Sequence, residues 1–243
     1  MIDQFKEIPI ESNYNLPTEE NIHWLQEHSK VTNIEDNFRI KALHSYKEIK
    51  LAGTLNTMYA RQSVVLKLNQ ALEYLPNNFS FAIFDAFRTI KTQLALFEFI
   101  YNQQKELYPN LTHEDLYNKT REFIVNPSEI SRYAIPPHNS GGAIDISILC
   151  NGQLLDMGTE FDAVTPMSYT NFFEQSYQIN PEISEKRWNE IRINRRILFN
   201  TLKHVGFTNY DVEWWHYDLG DCMWADILNE NWYYPSMENE IML

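Results

Sequence analysis

The segment His138-Asn139-Ser140-Gly141-Gly142-Ala143-Ile144-Asp145 contains two potential metal ligands close together in the chain. The imidazole of His138 and the carboxylate of Asp145 are a nitrogen and an oxygen ligand of the kinds that Zn²⁺ binds. The two glycines between them permit a tight turn, because glycine adopts backbone conformations that other residues avoid. A loop histidine and a strand aspartate that merely cap a turn would give the same pattern, so this pair alone does not define a site.

A second pair consists of Glu213 and, three residues later, His216. In metallopeptidases a histidine binds the ion and a glutamate moves the proton of the attacking water. Residues 212–219 favour a strand, however, and positions three apart on a regular strand face opposite sides. Both side chains can reach one ion only if the strand bulges or twists there. The alternative is a buried aromatic strand with an incidental histidine.

A third group, Asp85 and Arg88, follows an apolar segment that is predicted to be a buried strand. An arginine that leaves a strand end can point into a cleft and stabilise a developing oxyanion. A structural ion pair between Asp85 and Arg88 is the alternative.

Taken together, these groups make a complete set for metal-assisted hydrolysis of an amide. His138, Asp145 and His216 would supply three protein ligands and leave the fourth position of a catalytic zinc for water. Glu213 would act as the base and Arg88 as the electrophile. Cys222 is an alternative fourth ligand; it would close the site and make it structural, which would leave Glu213 without a task.

Hydrophobic periodicity and turn residues predict the elements that hold these groups. Asn151-Gly152 is a strong hairpin signal. Residues 125–141 are predicted as a loop and residues 158–182 as irregular structure. Helices are predicted over 18–28, 57–75, 91–107, 112–124 and 183–204, and strands over 79–84, 143–149, 153–157, 212–219 and 232–234. Because helices and strands do not alternate regularly, we expect an α+β fold with a central, mostly antiparallel sheet flanked by helices.

The composition excludes several classes of protein. The 243 residues include 20 Lys and Arg against 33 Asp and Glu, for a formal net charge of −13. Such a surface repels nucleic acid and anionic membranes, so we expect neither as a partner. Hydrophobic residues make up 44% of the chain, enough for one folded domain over residues 1–243, for which no metal is needed as a staple. A bound metal is therefore expected to serve function.

The N-terminal residues lack the basic and apolar regions of a signal peptide, and no apolar stretch is long enough to span a membrane. Cys150 and Cys222 are too few for a disulfide framework. These features predict a cytoplasmic protein, or a periplasmic one if a leader has been removed. The sequence leaves the oligomeric state open.

The three groups resemble motifs of the D-alanyl-D-alanine dipeptidases, which belong to the zinc D,D-peptidases. The family's motifs are His-x-x-Gly-x-Ala-x-Asp, Glu-x-x-His and Asp-Ala-[Tyr/Phe]-Arg, found here at 138–145, 213–216 and 85–88. Further similar segments are Met157-Gly158-Thr159-Glu160-Phe161-Asp162, Asn194-Arg195-Arg196-Ile197-Leu198 with Gly206-Phe207, and Gly220-Asp221-Cys222-Met223-Trp224-Ala225. The resemblance extends from about Asn37 to Ala225.

The resemblance implies a role for each matched residue. His138, Asp145 and His216 would bind one zinc ion, Glu213 would be the catalytic acid and base, and Arg88 would contact substrate and stabilise the tetrahedral intermediate. Asp162 would bind the free amino group of a dipeptide. The resemblance also implies the fold that these peptidases share with hedgehog signalling domains. One departure is Pro136, because the family usually has a serine there that is expected to touch substrate.

We therefore expect zinc-dependent hydrolysis of D-alanyl-D-alanine or a similar D,D-dipeptide, with a small dipeptide as partner. One alternative is a D,D-carboxypeptidase or endopeptidase acting on longer cell-wall peptides. Asp162 argues against it, since a carboxylate that binds a free amino terminus favours dipeptides. The other alternative is a non-catalytic zinc-binding module, against which Glu213 and an open coordination position argue.

Overall fold

The computed structural model describes residues 2–11, 25–26, 29–121, 124–128 and 135–241. Most of the helix predicted over 18–28 lies outside these ranges. Leu25 and Gln26 form a short strand, so no continuous helix reaches residue 28. None of the described helices is both long enough and apolar enough to cross a bilayer.

Helices account for the longest elements in the described part of the chain. They are α1 (Ile2–Glu7), α2 (Ser45–Glu48), α3 (Gln62–Glu73), α4 (Ile90–Leu107), α5 (His113–Arg121), α6 (Pro137–Ser140), α7 (Glu185–His204), α8 (Cys222–Leu228) and α9 (Glu238–Ile241). Single 3₁₀ turns occur at Ile34–Asp36, Pro166–Ser168, Phe172–Glu174 and Tyr177–Ile179. The last three lie within the segment predicted to be irregular.

The strands are mostly short. They are β1 (Leu25–Gln26), β2 (Val31–Asn33), β3 (Ile40–Ala42), β4 (Tyr59–Arg61), β5 (Phe79–Asp85), β6 (Ala143–Cys150), β7 (Gln153–Leu154), β8 (Thr208–Asn209), β9 (His216–Asp218) and β10 (Trp232–Tyr233). Two of the pairs stand apart from the main sheet, β1 with β10 and β2 with β4.

The main sheet has six strands in the order β3-β5-β6-β9-β8, with β7 also paired to β6. The β3–β5 pair is parallel and the other pairs are antiparallel. The molecule therefore has a mixed sheet with helices packed against it, which confirms the predicted α+β class. The relation to hedgehog domains stays a prediction.

Strand β6 lies at the centre of this sheet and separates the core from the polar groups. Ile144, Ile146 and Ile148 are fully buried, and they join α3 and α7 in the largest apolar cluster. Complete burial of each such side chain contributes about 1.5–3 kcal/mol to folding. Because successive residues of a strand face opposite sides, Asp145 projects from the other face.

Several predicted boundaries need correction. The helix predicted over 57–75 begins at Gln62, because residues 59–61 pair with β2 as strand β4. The hairpin is confirmed, with positive φ angles at Asn151 and Gly152, but its return strand ends at Leu154. The predicted loop 125–141 contains the one-turn helix α6.

The strand predicted over 212–219 is wrong in its first half. Strand β9 covers only His216–Asp218, and residues 211–215 form consecutive turns. The backbone N–H of Glu213 donates to the carbonyl of Tyr210, and that of His216 donates to the carbonyl of Glu213. Glu213 is therefore in a turn, and the expected bulge within a strand is not needed.

Candidate active site

Three adjacent strands bring acidic and imidazole groups to one level of the sheet. In the strand register, Asp85 of β5 is opposite Asp145 of β6, and Asp145 is opposite His216 of β9. Directly opposed residues of antiparallel strands have neighbouring side chains on the same face. A register shift between Ile83 and Asp85 inserts an extra residue in β5, and such a bulge re-aims the side chain that follows it.

Helix α6 contributes His138 to the same cluster of side chains. Pro137 occupies the first turn of the helix, and Gly141 ends it in the left-handed conformation with φ 74°, a backbone geometry that glycine adopts at little cost. The backbone N–H of Arg88 donates to the carbonyl of His138 at 3.2 Å. This bond connects α6 directly to the loop after β5.

The ligand atoms of His138, Asp145 and His216 lie within 4.8 Å of one another, and all three residues are buried. His138 Nε2 is 3.2 Å from His216 Nδ1 and 3.5 Å from Asp145 Oδ2, and His216 Nδ1 is 3.1 Å from Asp145 Oδ1. In a tetrahedral zinc site with bonds of about 2.0–2.1 Å, ligand atoms are roughly 3.3 Å apart. The distance between the two inner nitrogens therefore matches one edge of a zinc tetrahedron, and each nitrogen has one oxygen of Asp145 at a similar distance.

The outer nitrogens of both imidazoles have partners of their own. His138 Nδ1 is 2.7 Å from the carbonyl oxygen of Ala86, and His216 Nε2 is 2.8 Å from Asp218 Oδ1. Each of these acceptors requires a proton on the outer nitrogen, so in the neutral form of each ring, the form that binds a metal, the lone pair is on the inner nitrogen. Hydrogen bonds of this kind fix the tautomer and orientation of metal-binding histidines.

Electrostatics in this cluster favour an anionic Asp145. Burial opposes its ionisation, yet the charge of His138 and hydrogen bonds from His138 and His216 hold the pKa of Asp145 below its usual range. A carboxylate that stays ionised is the form that a metal ion binds.

Arg88 is buried beside the cluster and held by several groups. Its Nε donates to Asp85 Oδ2 at 2.8 Å and its Nη1 to Gln93 Oε1 at 2.8 Å, while its Nη2 is 3.5 Å from Asp145 Oδ2. Burial opposes its charge, but neighbouring Tyr46, Asp85 and Asp145 raise the pKa of Arg88. The ion pair between Asp85 and Arg88 is thus present, and it orients a permanent cation next to Asp145.

Glu213 lies beside the metal-type cluster without belonging to it. Its Oε2 is 3.9 Å from His216 Nδ1, the inner nitrogen. Burial raises the pKa of Glu213 to about 8, and the nearby charge of Asp145 adds to the rise. A carboxyl group with a pKa near neutrality can both accept and release a proton, which suits an acid and base catalyst.

Asp162 faces the same cavity from the turn that follows Gly158. Its φ of 60° is unusual for a residue other than glycine. Burial, followed by the charge of Asp145, raises the pKa of Asp162 to about 7, against the opposing influence of Arg88 and a hydrogen bond with Tyr46. A positively charged ligand would relieve this unfavourable environment.

A single cavity of about 210 Å³ joins these groups. Besides His138, Asp145 and His216, it is lined by Arg88, Glu213 and Asp162, so the structure brings together the six residues for which the resemblance implied a role in metal binding, catalysis or substrate binding. Among the described residues, the cluster of potential metal ligands contains His138, Asp145 and His216 but not Cys222. The thiol of Cys222 instead donates to the carbonyl oxygen of Ile135, at 3.1 Å.

Four further residues were missed by the sequence analysis. Tyr46 contacts Arg88, with a distance of 3.4 Å from Nη2 to the phenol oxygen, and Tyr210 also lines the cavity. Asp218 is the partner of His216, and their alternate positions on one strand could have indicated it. Asn209 donates from Nδ2 to the carbonyl oxygens of Glu213 and His216 at 3.2 and 2.7 Å. No sequence pattern points to Tyr46, Tyr210 or Asn209.

Comparison with known proteins gives concordant matches. Residues 46–233 match the family model described as "Peptidase_M15: D-ala-D-ala dipeptidase". A D-alanyl-D-alanine dipeptidase of Synechocystis sp. is 27% identical over 194 residues, which cover 75% of this chain and 78% of that protein. Dipeptidases of the same name from Enterococcus faecium and Enterococcus faecalis are 26% and 25% identical, over 76% and 79% of this chain and 82% and 84% of theirs.

Proposed function

Because the chain belongs to the D-Ala-D-Ala dipeptidase family of peptidases, we propose that it hydrolyses D-alanyl-D-alanine, or a similar D,D-dipeptide, with zinc as its metal. The similar proteins named as D-alanyl-D-alanine dipeptidases support the substrate. The whole activity is assigned to one domain comprising residues 1–243. The observation that carries the proposal is the spacing of 3.1–3.5 Å among the inner donor atoms of His138, Asp145 and His216.

The donor set suits zinc better than a harder ion. Two imidazoles and one carboxylate are the mixture found in catalytic zinc sites, whereas Mg²⁺ and Ca²⁺ prefer oxygen ligands throughout. When bound, the ion would polarise the scissile carbonyl and acidify the attacking water. His138, Asp145 and His216 would hold it, with Ala86 and Asp218 orienting the two rings.

Glu213 would move the protons of the reaction. Its carboxylate, 3.9 Å from His216 Nδ1, is close enough to take a proton from water between itself and the substrate carbonyl. The same group would later donate that proton to the leaving amine, since one acid and base can serve both steps. Its raised pKa makes both protonation states accessible near neutral pH.

Arg88 would stabilise the negative charge that develops on the carbonyl oxygen. The bonds to Asp85 and Gln93 fix the guanidinium before substrate arrives. A donor that is already oriented costs no reorganisation when charge develops.

Asp162 would bind the ammonium group of the dipeptide. Its raised pKa reflects desolvation of a partly exposed carboxyl and the nearby charge of Asp145, which outweigh the influence of Arg88. The substrate's amino terminus would supply further positive charge. A substrate with a blocked amino terminus would leave Asp162 unpaired, which discriminates strongly against it.

The test is a coupled assay for released D-alanine on zinc-loaded protein, with D-Ala-D-Ala, N-acetyl-D-Ala-D-Ala and L-Ala-L-Ala as substrates. We expect turnover of the first and a kcat/KM at least about 10²-fold lower for the acetylated compound. The Asp162→Asn variant should lose most activity toward the free dipeptide. The Asp156→Asn variant is the matched control, since Asp156 pairs with Arg187 outside the site.

Three results would count against the proposal. Absence of D-alanine release would exclude the dipeptidase activity. Equal kcat/KM for the free and acetylated substrates would favour a D,D-carboxypeptidase. Stoichiometric zinc binding without hydrolysis of any D,D-peptide would leave a zinc-binding module.

A further inference from the structure

We propose that the C-terminal segment 235–241 positions the proposed zinc ligand His138 and the proposed oxyanion-stabilising residue Arg88, with Glu238 as the positioning residue that joins the two. This inference rests on the proposed dipeptidase function and adds to it a part of the chain beyond the residues 46–233 that match the family model. None of residues 235–241 lines the cavity of the proposed site. The segment would therefore act through its contacts with helix α6 and with the start of helix α4.

Helix α6, which carries His138, is a single turn that depends on other segments for its position. A helix of this length is unstable by itself in water, and the last four carbonyls of any helix have no partner within it. Three carbonyls of α6 accept hydrogen bonds from other parts of the chain, and the pairs are the N–H of Arg88 with His138 at 3.2 Å, the N–H of Met237 with Asn139 at 2.9 Å and Nε of Arg61 with Ser140 at 2.9 Å. These three donors therefore determine where α6 lies.

The C-terminal segment supplies one of these donors and holds another. Met237 is fully buried, and its sulfur lies so close to Gly141 that an added Cβ there would be 1.9 Å from it. Arg61 is also fully buried, and its Nη1 and Nη2 donate to Glu240 and to the carbonyl oxygen of Pro235, at 3.0 and 2.8 Å. Two of the three donors that hold α6 are thus fixed by this segment.

Asn139, the neighbour of His138, connects the segment to Arg88. Its Nδ2 donates to the carbonyl oxygen of Arg88 at 3.0 Å and to Glu238 Oε2 at 2.7 Å. Its Oδ1 accepts from Ser236 Oγ at 2.6 Å. Because the N–H of Arg88 donates to His138, both backbone groups of Arg88 are bonded to α6. Glu238 and Ser236 hold the amide that makes the second of these bonds.

Glu238 also contacts the first residue of helix α4. Its Oε2 accepts from the backbone N–H of Ile90 at 3.0 Å, one of the N–H groups that a helix leaves without an internal partner. Helix α4 has no acidic residue in its first turn, so Glu238 supplies the negative charge that stabilises a helix N-terminus. The same helix carries Gln93, whose Oε1 accepts from Arg88 Nη1 at 2.8 Å. Glu238 is therefore connected to Arg88 through α4 as well as through Asn139.

The test compares wild-type, Glu238→Ala, Glu238→Gln and Ser236→Ala proteins. Zinc affinity is measured on metal-free protein by competition with a chromogenic chelator, and kcat and KM for D-Ala-D-Ala are measured at saturating zinc. We expect Glu238→Ala to weaken zinc binding by about tenfold or more, as loss of groups that orient a metal ligand does. It should also lower kcat by about tenfold or more, since small displacements of a positioned group have large effects on rate. KM should change less than about twofold, because Glu238 does not line the cavity.

The other two variants separate hydrogen bonding from charge and from folding. Glutamine keeps an oxygen that can accept from both Ile90 and Asn139, so Glu238→Gln should stay within about twofold of wild type in both measurements. Ser236→Ala removes the hydroxyl that donates to Asn139. It should weaken zinc binding and lower kcat by about threefold each, the size expected for one hydrogen bond. This variant decides the question if Glu238→Ala does not fold.

Glu230→Ala is the matched control, since it removes the same charge from an exposed side chain that does not line the cavity. It should have wild-type zinc affinity and kinetics. Wild-type zinc affinity and kcat in folded Glu238→Ala, with only a lower Tm, would make the segment purely structural and overturn the proposal. Equal losses in Glu238→Ala and in either Glu238→Gln or Glu230→Ala would also overturn it. If wild-type protein does not cleave D-Ala-D-Ala, the proposed function fails, while the zinc affinities of the same variants still decide whether the segment positions His138.

Discussion

Glu213 and Asp162 line the same cavity, and desolvation raises the pKa of both carboxyl groups, but the two groups are proposed to have different functions. Burial raises the pKa of Glu213 to about 8 and that of Asp162 to about 7. Glu213 lies 3.9 Å from a nitrogen of the metal-type cluster, where a proton must be moved. Asp162 lies beside Tyr46 and Arg88, where a positive terminus can be bound. The position of each carboxyl group in the cavity, more than its pKa, therefore distinguishes the proposed acid and base, Glu213, from the proposed ammonium-binding residue, Asp162.

The Glu213→Gln variant should bind zinc normally and lose activity by at least about two orders of magnitude. Glutamine keeps the size of the side chain but cannot accept the proton of the attacking water, and removal of a positioned general base has effects of this size. Zinc content is measured by elemental analysis and turnover by D-alanine release. Near-normal turnover in this variant would assign the proton transfer to another group.

Asp162 also predicts a pH dependence of stability for the protein without bound metal. Its pKa is about 7 in the folded chain and about 3.9 in an unfolded one. Between these values the folded state retains a proton that the unfolded state has lost, so stability decreases as pH rises through about 7 and is constant above it. Urea titrations should show Asp162→Asn gaining stability relative to wild type between pH 5 and 8.

The control for this experiment is Asp156→Asn. Hydrogen bonds from Arg187 and Gly158 keep the pKa of Asp156 below its usual range although burial opposes this. Its contribution is therefore complete above the unfolded pKa and is lost only in acid. A constant difference between Asp162→Asn and wild type over pH 5–8 would mean that Asp162 is ionised throughout this range.

At the level of elements, the turn from Tyr210 to His216 places the proposed base, Glu213, next to the proposed metal ligand, His216. Asn209 fastens this turn from the neighbouring strand β8, with Nδ2 donating to the carbonyls of Glu213 and His216, and its Oδ1 accepts from Thr170 at 2.8 Å. The side chain of Asn209 is not among the described residues that line the cavity, so we infer that it is a positioning residue.

We expect Asn209→Ala to lower kcat by about tenfold or more while one zinc ion is still bound, because a displacement of the catalytic group of about 1 Å has large effects on rate. The KM for D-Ala-D-Ala should change little. Asn189→Ala, on α7 and hydrogen-bonded to Arg192, is the control for loss of an asparagine elsewhere. Equal losses of kcat and thermal stability in both variants would contradict a positioning role.

The conformation of this turn is not predicted by the sequence. The aromatic residues at 214–217 favour a strand, but the backbone N–H of Trp214 donates to the carbonyl of Ser168, a partner that no local pattern reveals. Helix α6 is a single turn, too short for periodicity to indicate. Strand β5 is predicted nearly in full from its aromatic and β-branched residues, and strand β6 from its regular alternation. Asp145 is indicated by its position after the glycine turn that follows His138.

At the level of the whole molecule, the core and the metal-type cluster occupy different faces of strand β6. Ile144, Ile146 and Ile148 face the main apolar cluster, whereas Asp145 faces His138 and His216. The apolar cluster includes residues of α3, α7 and four strands of the sheet. Because the apolar cluster and the metal-type cluster share no residues, this arrangement agrees with the expectation that a metal serves function more than folding.

Removal of zinc should therefore abolish activity and leave the fold intact. Chelator-treated protein is expected to keep its far- and near-ultraviolet circular dichroism, because the apolar cluster needs no metal. Zinc should raise Tm through mass action alone: free ion at about 100 times its Kd adds about 2.7 kcal/mol, or roughly 5–10 °C for a chain of this size. The shift should grow with zinc concentration and be absent in His138→Ala, which loses a ligand. Loss of the near-ultraviolet signal on chelation would instead make the metal part of the folding core, and an undiminished shift in His138→Ala would place zinc at other residues.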